Sequence, residues 1–392
     1  QMTMLEAFPP SLQAELARLN AVSPNDYARS RNAIEGAVTG LSPYITHGLL
    51  SLPEVLADVT AKHSLDMQHK FVFELGWREY FRHVWAFRGE EIFESLREGL
   101  LPQTSYSALL PYDIRQAATG VPVIDMAVRT LYATGYLHNH ARMWLASYIV
   151  HVRKVDWRIA ADWLYGHLLD GDLASNHLSW QWVAGTGSHK PYLFNAENVS
   201  RYAPSAWHSA GSVIDTTYEE LDHLARSPLS VASSSVQADD SAIDEPQLFT
   251  QPPTHLNLCT PNSNTVSGRD VWLVHPWSLG KLPEHLSANT VIIGVYVAEF
   301  HLAWPWSEKR WQFVNSRMTE LTTERWYGNT ASIIAALESA NQVSGFSEAH
   351  VSTFLPAPIL SEMTPSLFPQ VDRRCDSFAK WWKMVSAGQG VE

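Results

Sequence analysis

Cysteine is almost missing from this chain: Cys259 and Cys375 are the only two in 392 residues. That is too few for a disulfide framework or an iron–sulfur cluster. No apolar run approaches the length needed to cross a bilayer, and the N-terminus lacks the charged and apolar regions of a signal peptide. The expected location is therefore the cytoplasm, with no membrane partner. Positive charge is also scarce, with 28 Lys+Arg against 40 Asp+Glu and a net charge of −12. Residues 1–226 carry 18 basic against 24 acidic side chains, residues 227–268 none against 4, and residues 269–392 carry 10 against 12. No segment is basic, so the overall field does not invite a polyanion; only a positive rim around one pocket would. His138, His140, His151 and His167 have no Cys or carboxylate beside them at ligand spacing, and no metal is expected.

What is present divides the chain in three. Residues 1–226 show no strand-like alternation and read as nearly all helical, with helices expected at 5–20, 43–61, 66–88, 113–118, 122–134, 138–153, 157–169 and from 174 onward. Residues 227–268 turn to Ser, Pro, Thr, Asn and Gln with a small acidic cluster, a composition that buries too little to order itself, and read as a flexible linker. Residues 269–392 open with Val271-Trp272-Leu273-Val274 and Val291 to Val297, continuous apolar runs of the kind found in buried parallel strands. Helical patterns follow at 307–323, 330–340 and 374–387, with a short strand near Val343. The fold class is thus α plus α/β: an all-helical domain, then a smaller Rossmann-like, doubly wound α/β domain. That second domain lacks a glycine-rich phosphate fingerprint. At 45% hydrophobic, the chain can bury one large core or two.

The densest stretch runs from Asp156 to Trp182. It holds Trp157, Trp163, Trp180 and Trp182, the acids Asp170 and Asp172 either side of Gly171, and little basic charge. An apolar helical pattern ends at Gly171 and a second helix starts near Ala174. Carboxylates at such a corner need partners, since unpaired charge is costly away from water; capping by Asp170 and core packing by the tryptophans would also account for them.

The series Asp-Gly-Asp-Leu-Ala-Ser-Asn followed by Trp-Gln-Trp, together with the residues upstream from about Tyr27 to Asn195, closely resembles the flavin-binding domain of the DNA photolyase/cryptochrome family. The resemblance implies non-covalent FAD in residues 1–226. A Tyr and a Thr-Ser-Arg-Leu-Ser-Pro loop hold the FAD phosphates in that family; here Tyr27, Thr39, Leu41 and Ser42 match, while the loop arginine is Gly40. Hydroxyls and helix N-terminal amides are suitable phosphate donors, although Thr-x-x-Ser-Pro is also an ordinary helix start. Arg142 and Asp170 match a pair set against the flavin ring, Asp172 a residue at its polar edge, Asn176 one near N5, and Arg78 and Asn139 further contacts. Helix packing alone would also produce an Arg142–Asp170 salt bridge.

The same resemblance implies that a flipped-out pyrimidine dimer of UV-damaged DNA is the partner. Trp77 and Trp182 match the aromatic walls of its cavity, and Glu74, Asn139 and Met143 match other lining positions; Glu74 would hydrogen-bond the dimer, a role that needs a raised carboxyl pKa. Arg31 matches a phosphate contact, whereas His140 stands where the family often has an arginine. Trp180 and Trp157 match the inner two residues of an electron-transfer chain; the outermost tryptophan has no clear counterpart, with Tyr106 near that place and Trp85 as the other option. The implied activity is a deoxyribodipyrimidine photolyase, and the alternative is a cryptochrome-like blue-light sensor that binds FAD without repair. The segment Ser307 to Phe313 and the strands before it look similar to the family's antenna domain, here placed after the flavin domain, where a second chromophore would sit. Nothing in the sequence speaks to oligomeric state, and a monomer is the default.

Overall fold

The computed structural model describes residues 8–30, 40–65, 69–232 and 242–387. The helical part contains α1 (Leu12–Asn20), α2 (Pro24–Ser30), α3 (Ser42–Thr46), α4 (Leu52–Lys62), α5 (Lys70–Arg88), α6 (Tyr112–Arg115), α7 (Pro122–Thr134), α8 (Asn139–Ser147), α9 (Trp157–His167), α10 (Leu173–Ala184), α11 (Ala196–Tyr202) and α12 (Tyr218–Ala225). Local chemistry sets many of these boundaries. Ser51 and Glu54 cap α4 reciprocally. Pro122 opens α7, which stops at Gly135 in the left-handed region. α10 is capped at one end by the Asp172 carboxylate and stopped at the other by Gly185. α5 is the spine, burying Phe71, Val72, Leu75, Gly76, Tyr80 and Val84 along one side.

Three expected helices are shorter or interrupted. Among the described residues of the pattern at 5–20, α1 starts at Leu12, after Pro9 and Pro10. The pattern at 138–153 leaves α-geometry after Ser147, passes through a π turn at Tyr148–Val152 and ends at Lys154 with φ of 54°. The pattern at 43–61 breaks between α3 and α4 at Gly48, whose φ is 76°. A side chain at Gly48 would collide with the Trp277 carbonyl of the second domain, and Leu279 N–H donates to the His47 carbonyl at 2.9 Å. The turn therefore exists to let two backbones meet. Gly48→Ala should lower stability by about 2 kcal/mol or more, from left-handed strain plus that collision, as urea unfolding would measure.

Between the helical part and the sheet run β1 (Leu248–Phe249) and α13 (Ser263–Val266). The second part then contains β2 (Asp270–Val274), β3 (Val291–Val297), α14 (Ala298–Ala303), β4 (Trp306–Ser307), α15 (Glu308–Leu321), β5 (Glu324–Gly328), α16 (Thr330–Leu337), β6 (Gln342–Ser347), β7 (Glu362–Met363) and α17 (Phe378–Ser386). Five of the strands pair in parallel in the order β5-β3-β2-β6-β7. β2 is central and the winding reverses between β2 and β6, the arrangement of an open α/β sheet with a switch point there. Strand–helix alternation holds only in part: β2 and β3 are joined without a helix, because the connecting loop, carrying Pro276 and Pro283, is the one packed on Gly48.

Residues 242–268 are not the free linker that their composition suggests. β1 pairs antiparallel with β4, α13 follows, and Glu245 accepts from Trp163 Nε1 at 3.0 Å and lies 3.2 Å from His167 Nε2. Polar and Pro-rich chain is ordered here by partners on both sides rather than by a core of its own. Nor do the cores divide with the domains: the described residues form three buried clusters, and one of them crosses from the helical part into the sheet. The largest buried cluster joins Leu41, Tyr44, Leu49 and Val55 with Trp272, Trp277, Trp311 and Phe313. No helix among the described residues is long and apolar enough to cross a membrane.

The last described helix returns to α5. Phe378, Trp381 and Trp382 of α17 pack on Phe73, Trp77 and Tyr80, and a side chain at Gly76 would meet the Trp382 ring. Next to this contact, Glu79 accepts from the Leu367 and Phe368 amides, the latter at 2.9 Å. Burial pushes its carboxyl up to about 7, opposed by those two donors. A folded value above the ordinary one means that the folded state holds the proton longer. Glu79's contribution to stability is then full below about 4.5 and is lost as pH rises through about 7. Glu79→Gln should flatten this dependence, which is worth at most about 3 kcal/mol, in unfolding measured across that range.

Candidate flavin site

The corner from Leu168 to Leu173, between α9 and α10, holds the two buried acids among the described residues of the helical part, Asp170 and Asp172. Asp170 Oδ2 accepts from Arg142 Nη2 at 2.7 Å and from Ser42 Oγ at 2.5 Å. The Asp170 carbonyl takes Thr46 Oγ1 at 3.2 Å, and Thr46 in turn accepts from Arg78 Nη2 at 2.7 Å. Arg142 also donates to the Leu137 carbonyl at 2.8 Å and lies over the Tyr136 ring. Burial alone would push the Asp170 carboxyl up; the Arg142 charge, its hydrogen bond, that of Ser42 and the Arg78 charge outweigh it and hold the group below the usual range.

Asp172 has two tasks. Oδ1 caps α10 through Ser175 N–H at 2.9 Å, and Oδ2 takes Arg82 Nε at 2.9 Å and Nη2 at 2.5 Å. Burial opposes its ionisation, and the Arg82 charge foremost keeps it well below the usual carboxylate range. The second domain adds to this corner directly. Arg310 of α15, fully buried, donates to the Gly171 carbonyl at 2.6 Å. Glu348, just beyond β6, pairs with Arg82, and burial is again overcome by the Arg82 charge to keep it ionised. Arg78, Arg82, Arg142 and Arg310 thus face Asp170, Asp172 and Glu348, leaving one positive charge in excess.

Two polar atoms of this cluster have no partner: Arg310 Nε is buried and donates no hydrogen bond, and Asp170 Oδ1 is buried and accepts none. An ionised oxygen without a donor is costly away from water. An open acceptor beside surplus guanidinium charge fits a ligand that brings both hydrogen-bond donors and negative charge, as FAD does with its amino and imide groups and its pyrophosphate.

The other expected residues fall in several places. Tyr27 is buried with its ring edge-on to Phe71 at 5.7 Å, and Leu41 is buried beside Ser42. Thr39 and Arg31 lie outside the described residues. Where the family has an arginine, Gly40 has φ of 62°, and the space that a side chain would enter is taken by the Arg18 guanidinium, so positive charge reaches this loop from α1 instead. Asn176 donates to the Ala161 carbonyl at 2.9 Å. Trp180 and Trp157 are both buried, and Trp157 Nε1 donates to Ser95 Oγ at 2.9 Å. Tyr106 lines the same cleft of about 540 Å³ as Trp157, while Trp85 faces His350 instead.

The residues expected to line one substrate cavity lie on α5, α8 and α10. Glu74 and Trp77 share α5, but Trp77 is stacked on Phe378, with centroids 4.1 Å apart and planes at 10°. Asn139 Nδ2 contacts Met143 Sδ at 3.5 Å on α8, and His140 stacks on Trp144 and Tyr202. Trp182 is exposed and lines a cleft of about 770 Å³ with Lys190, Tyr192, Tyr218 and Arg226 rather than with Trp77. The sequence reading missed Arg82, Arg310, Glu348 and His350. Arg82 follows Arg78 by one helical turn; the position of Glu348 and His350 just past a strand at the switch point was the signal available for those two. Among the described residues no group of three or more His, Cys, Asp or Glu could hold a metal ion.

Residues 71–242, which include this corner, match the family described as the FAD binding domain of DNA photolyase. A deoxyribodipyrimidine photo-lyase from Synechococcus sp. is 32% identical over 213 residues, covering 49% of this chain and 43% of that protein. The cryptochrome DASH of Idiomarina loihiensis is 32% identical over 194 residues, covering 46% of this chain and 43% of that one. Among solved structures, a Synechocystis sp. cryptochrome aligns with a TM-score of 0.46 and 28% identity over 52% of this chain and 46% of its own. The chain spans less than half the length of these relatives. The helical part is thus similar in sequence to a DNA photolyase and a DASH cryptochrome, and the resemblance read from the sequence is upheld.

Proposed function

We propose that this chain is a light-dependent flavoprotein that binds FAD without a covalent bond and repairs cyclobutane pyrimidine dimers in UV-damaged DNA, as a deoxyribodipyrimidine photolyase does. The observation that carries the reading is Asp170: one carboxylate oxygen is fixed by Arg142 and Ser42, the other is buried without a donor, and the surrounding cluster holds surplus positive charge. Ser42, Arg78, Arg142, Asp170, Asp172 and Asn176 would hold the cofactor, joined by Tyr27, Thr39 and Leu41 at its phosphates. When bound, FAD supplies the light absorption and the one-electron chemistry.

The chain's own residues have distinct tasks around it. The Arg142–Asp170 pair fixes the orientation of the wall and keeps its charge balanced. The arginine excess favours an anionic, reduced cofactor. Glu74 donates a hydrogen bond to the dimer, and Trp77, Trp182, Asn139 and Met143 contact it, with Arg31 and His140 toward the DNA backbone. Trp180 and Trp157 carry electrons toward the surface, and Tyr106 is the outermost donor. Residues 1–226 form the flavin domain, and residues 269–392 form the α/β domain of antenna type, which would take any second chromophore.

Loss of dimers from a UV-irradiated oligonucleotide, under blue light with reduced protein, tests the repair claim; turnover no greater than in the dark defeats it. One observation favours the cryptochrome-like reading: one face of Trp77 is stacked on Phe378, and that face is not open to a base. Under that reading, FAD is retained and damaged DNA is not bound above undamaged DNA at any salt concentration.

A further inference from the structure

The switch point of a parallel α/β sheet, outside the carboxyl ends of its strands, is where such folds ordinarily form a ligand crevice. In this chain that place is filled. His275, after β2, has Nε2 at 2.8 Å from the Phe346 carbonyl. His350, after β6, stacks on Trp277 with centroids 4.6 Å apart and planes at 4°. The loop that emerges, Glu348-Ala349-His350, points out of the sheet and into the corner at Asp172.

Its two side chains grip that corner at two points. Glu348 pairs with Arg82, which also holds Asp172. His350 Nδ1 lies 3.0 Å from both Glu348 carboxylate oxygens, and its Nε2 accepts the Leu173 N–H at 3.3 Å. That acceptance places the ring proton on Nδ1, where it is donated to Glu348. Leu173 is the first residue of α10, and Asp172 is its cap. The second domain therefore fixes both the cap residue's counter-ion and the first amide of the capped helix. The Asp172, Glu348 and His350 side chains are 1%, 9% and 0% exposed and Arg82 is 29% exposed, so solvent screens the ion pairs through Arg82 only in part.

We propose that Glu348 is a positioning residue for the flavin site: acting through Arg82, it sets the place and the net charge of the Asp172 corner, so that the α/β domain forms part of the cofactor's wall. This rests on the flavin reading above. Its consequence is electrostatic. With Glu348 ionised, the corner carries one surplus positive charge; with Glu348 neutral, it carries two, and a bound flavin accepts electrons more readily.

The test is the midpoint potential of the flavin in full-length protein for the wild type, E348D and E348Q, with flavin content and the circular dichroism spectrum measured alongside. E348Q keeps the shape and a hydrogen-bond acceptor while losing the charge; E348D keeps the charge but withdraws it by one methylene. The expected order of potentials is wild type, then E348D, then E348Q as the most positive, with flavin dissociation from E348Q altered by about 5-fold or more. Should E348Q fail to fold, E348D against the wild type carries the comparison. Equal potentials and equal retention in every folded variant overturn the proposal and leave the flavin reading standing. A wild-type protein that takes up no flavin overturns that reading, and this inference with it.

Discussion

Asp170→Asn should leave the purified protein with little or no flavin and lower its stability by about 3–5 kcal/mol, the usual result of removing one partner of a buried ion pair. The two effects separate a ligand-binding role from a structural one. If Arg142 and Asp170 only joined two helices, replacing both together by apolar residues of similar volume, Arg142→Met with Asp170→Leu, would restore stability, and nothing else would be lost. If the pair also walls a flavin, as proposed, the double variant should regain stability but stay colourless. The sign of the pH dependence follows from the lowered Asp170 carboxyl. Its contribution is present above the ordinary carboxylate value and is lost as pH falls through the lower folded one. Flavin release on acidification should follow the same direction.

Trp157→Phe should abolish light-driven reduction of the bound flavin while leaving dimer repair by chemically reduced protein close to wild type. Trp157 is buried, with its indole N–H on Ser95 Oγ, and it borders the cleft that Tyr106 also lines. On the proposed route it passes electrons from the buried Trp180 toward the surface, and phenylalanine in its place keeps an aromatic ring of smaller size but not the oxidisable indole. Tyr106→Phe should slow light-driven reduction without abolishing it, because solvent reaches that cleft directly. Time-resolved absorbance under blue light, with a thiol as the external donor, measures both variants. Unchanged photoreduction in Trp157→Phe would mean that electrons leave by another route.

The helical corner was legible in the sequence because its signals are local. Asp170, Gly171 and Asp172 lie within three consecutive residues, α10 starts and stops where capping chemistry says it should, and Arg142 sits on a helix of its own with a clear start. The site's other half was not legible, for a physical reason: Glu348 and His350 are 266 residues from Arg82 and 177 from Leu173 respectively. No periodicity or spacing links such positions, since only the docking of the sheet's switch point onto the helices brings them together. The same docking explains the broken helix at Gly48, where composition favoured a continuous one and a backbone approaching from the other domain prevailed. Residues 242–268 differ from expectation for a related reason, because a segment without apolar periodicity can still be ordered by strand pairing and by anchors such as Glu245. The lining residues around Trp77 and Trp182 were chosen by resemblance, and α17, whose Phe378 stacks on one face of Trp77, has no place in that comparison.

Whether Arg142, Asp170, Asp172 and their neighbours surround a flavin is tested most directly by the absorption spectrum of the purified protein, read before and after heat release of any bound chromophore. The visible bands of a flavin are expected in near-equal molar amount to protein, released as free FAD on unfolding and missing from Asp170→Asn. A folded protein that remains colourless after incubation with FAD would contradict it.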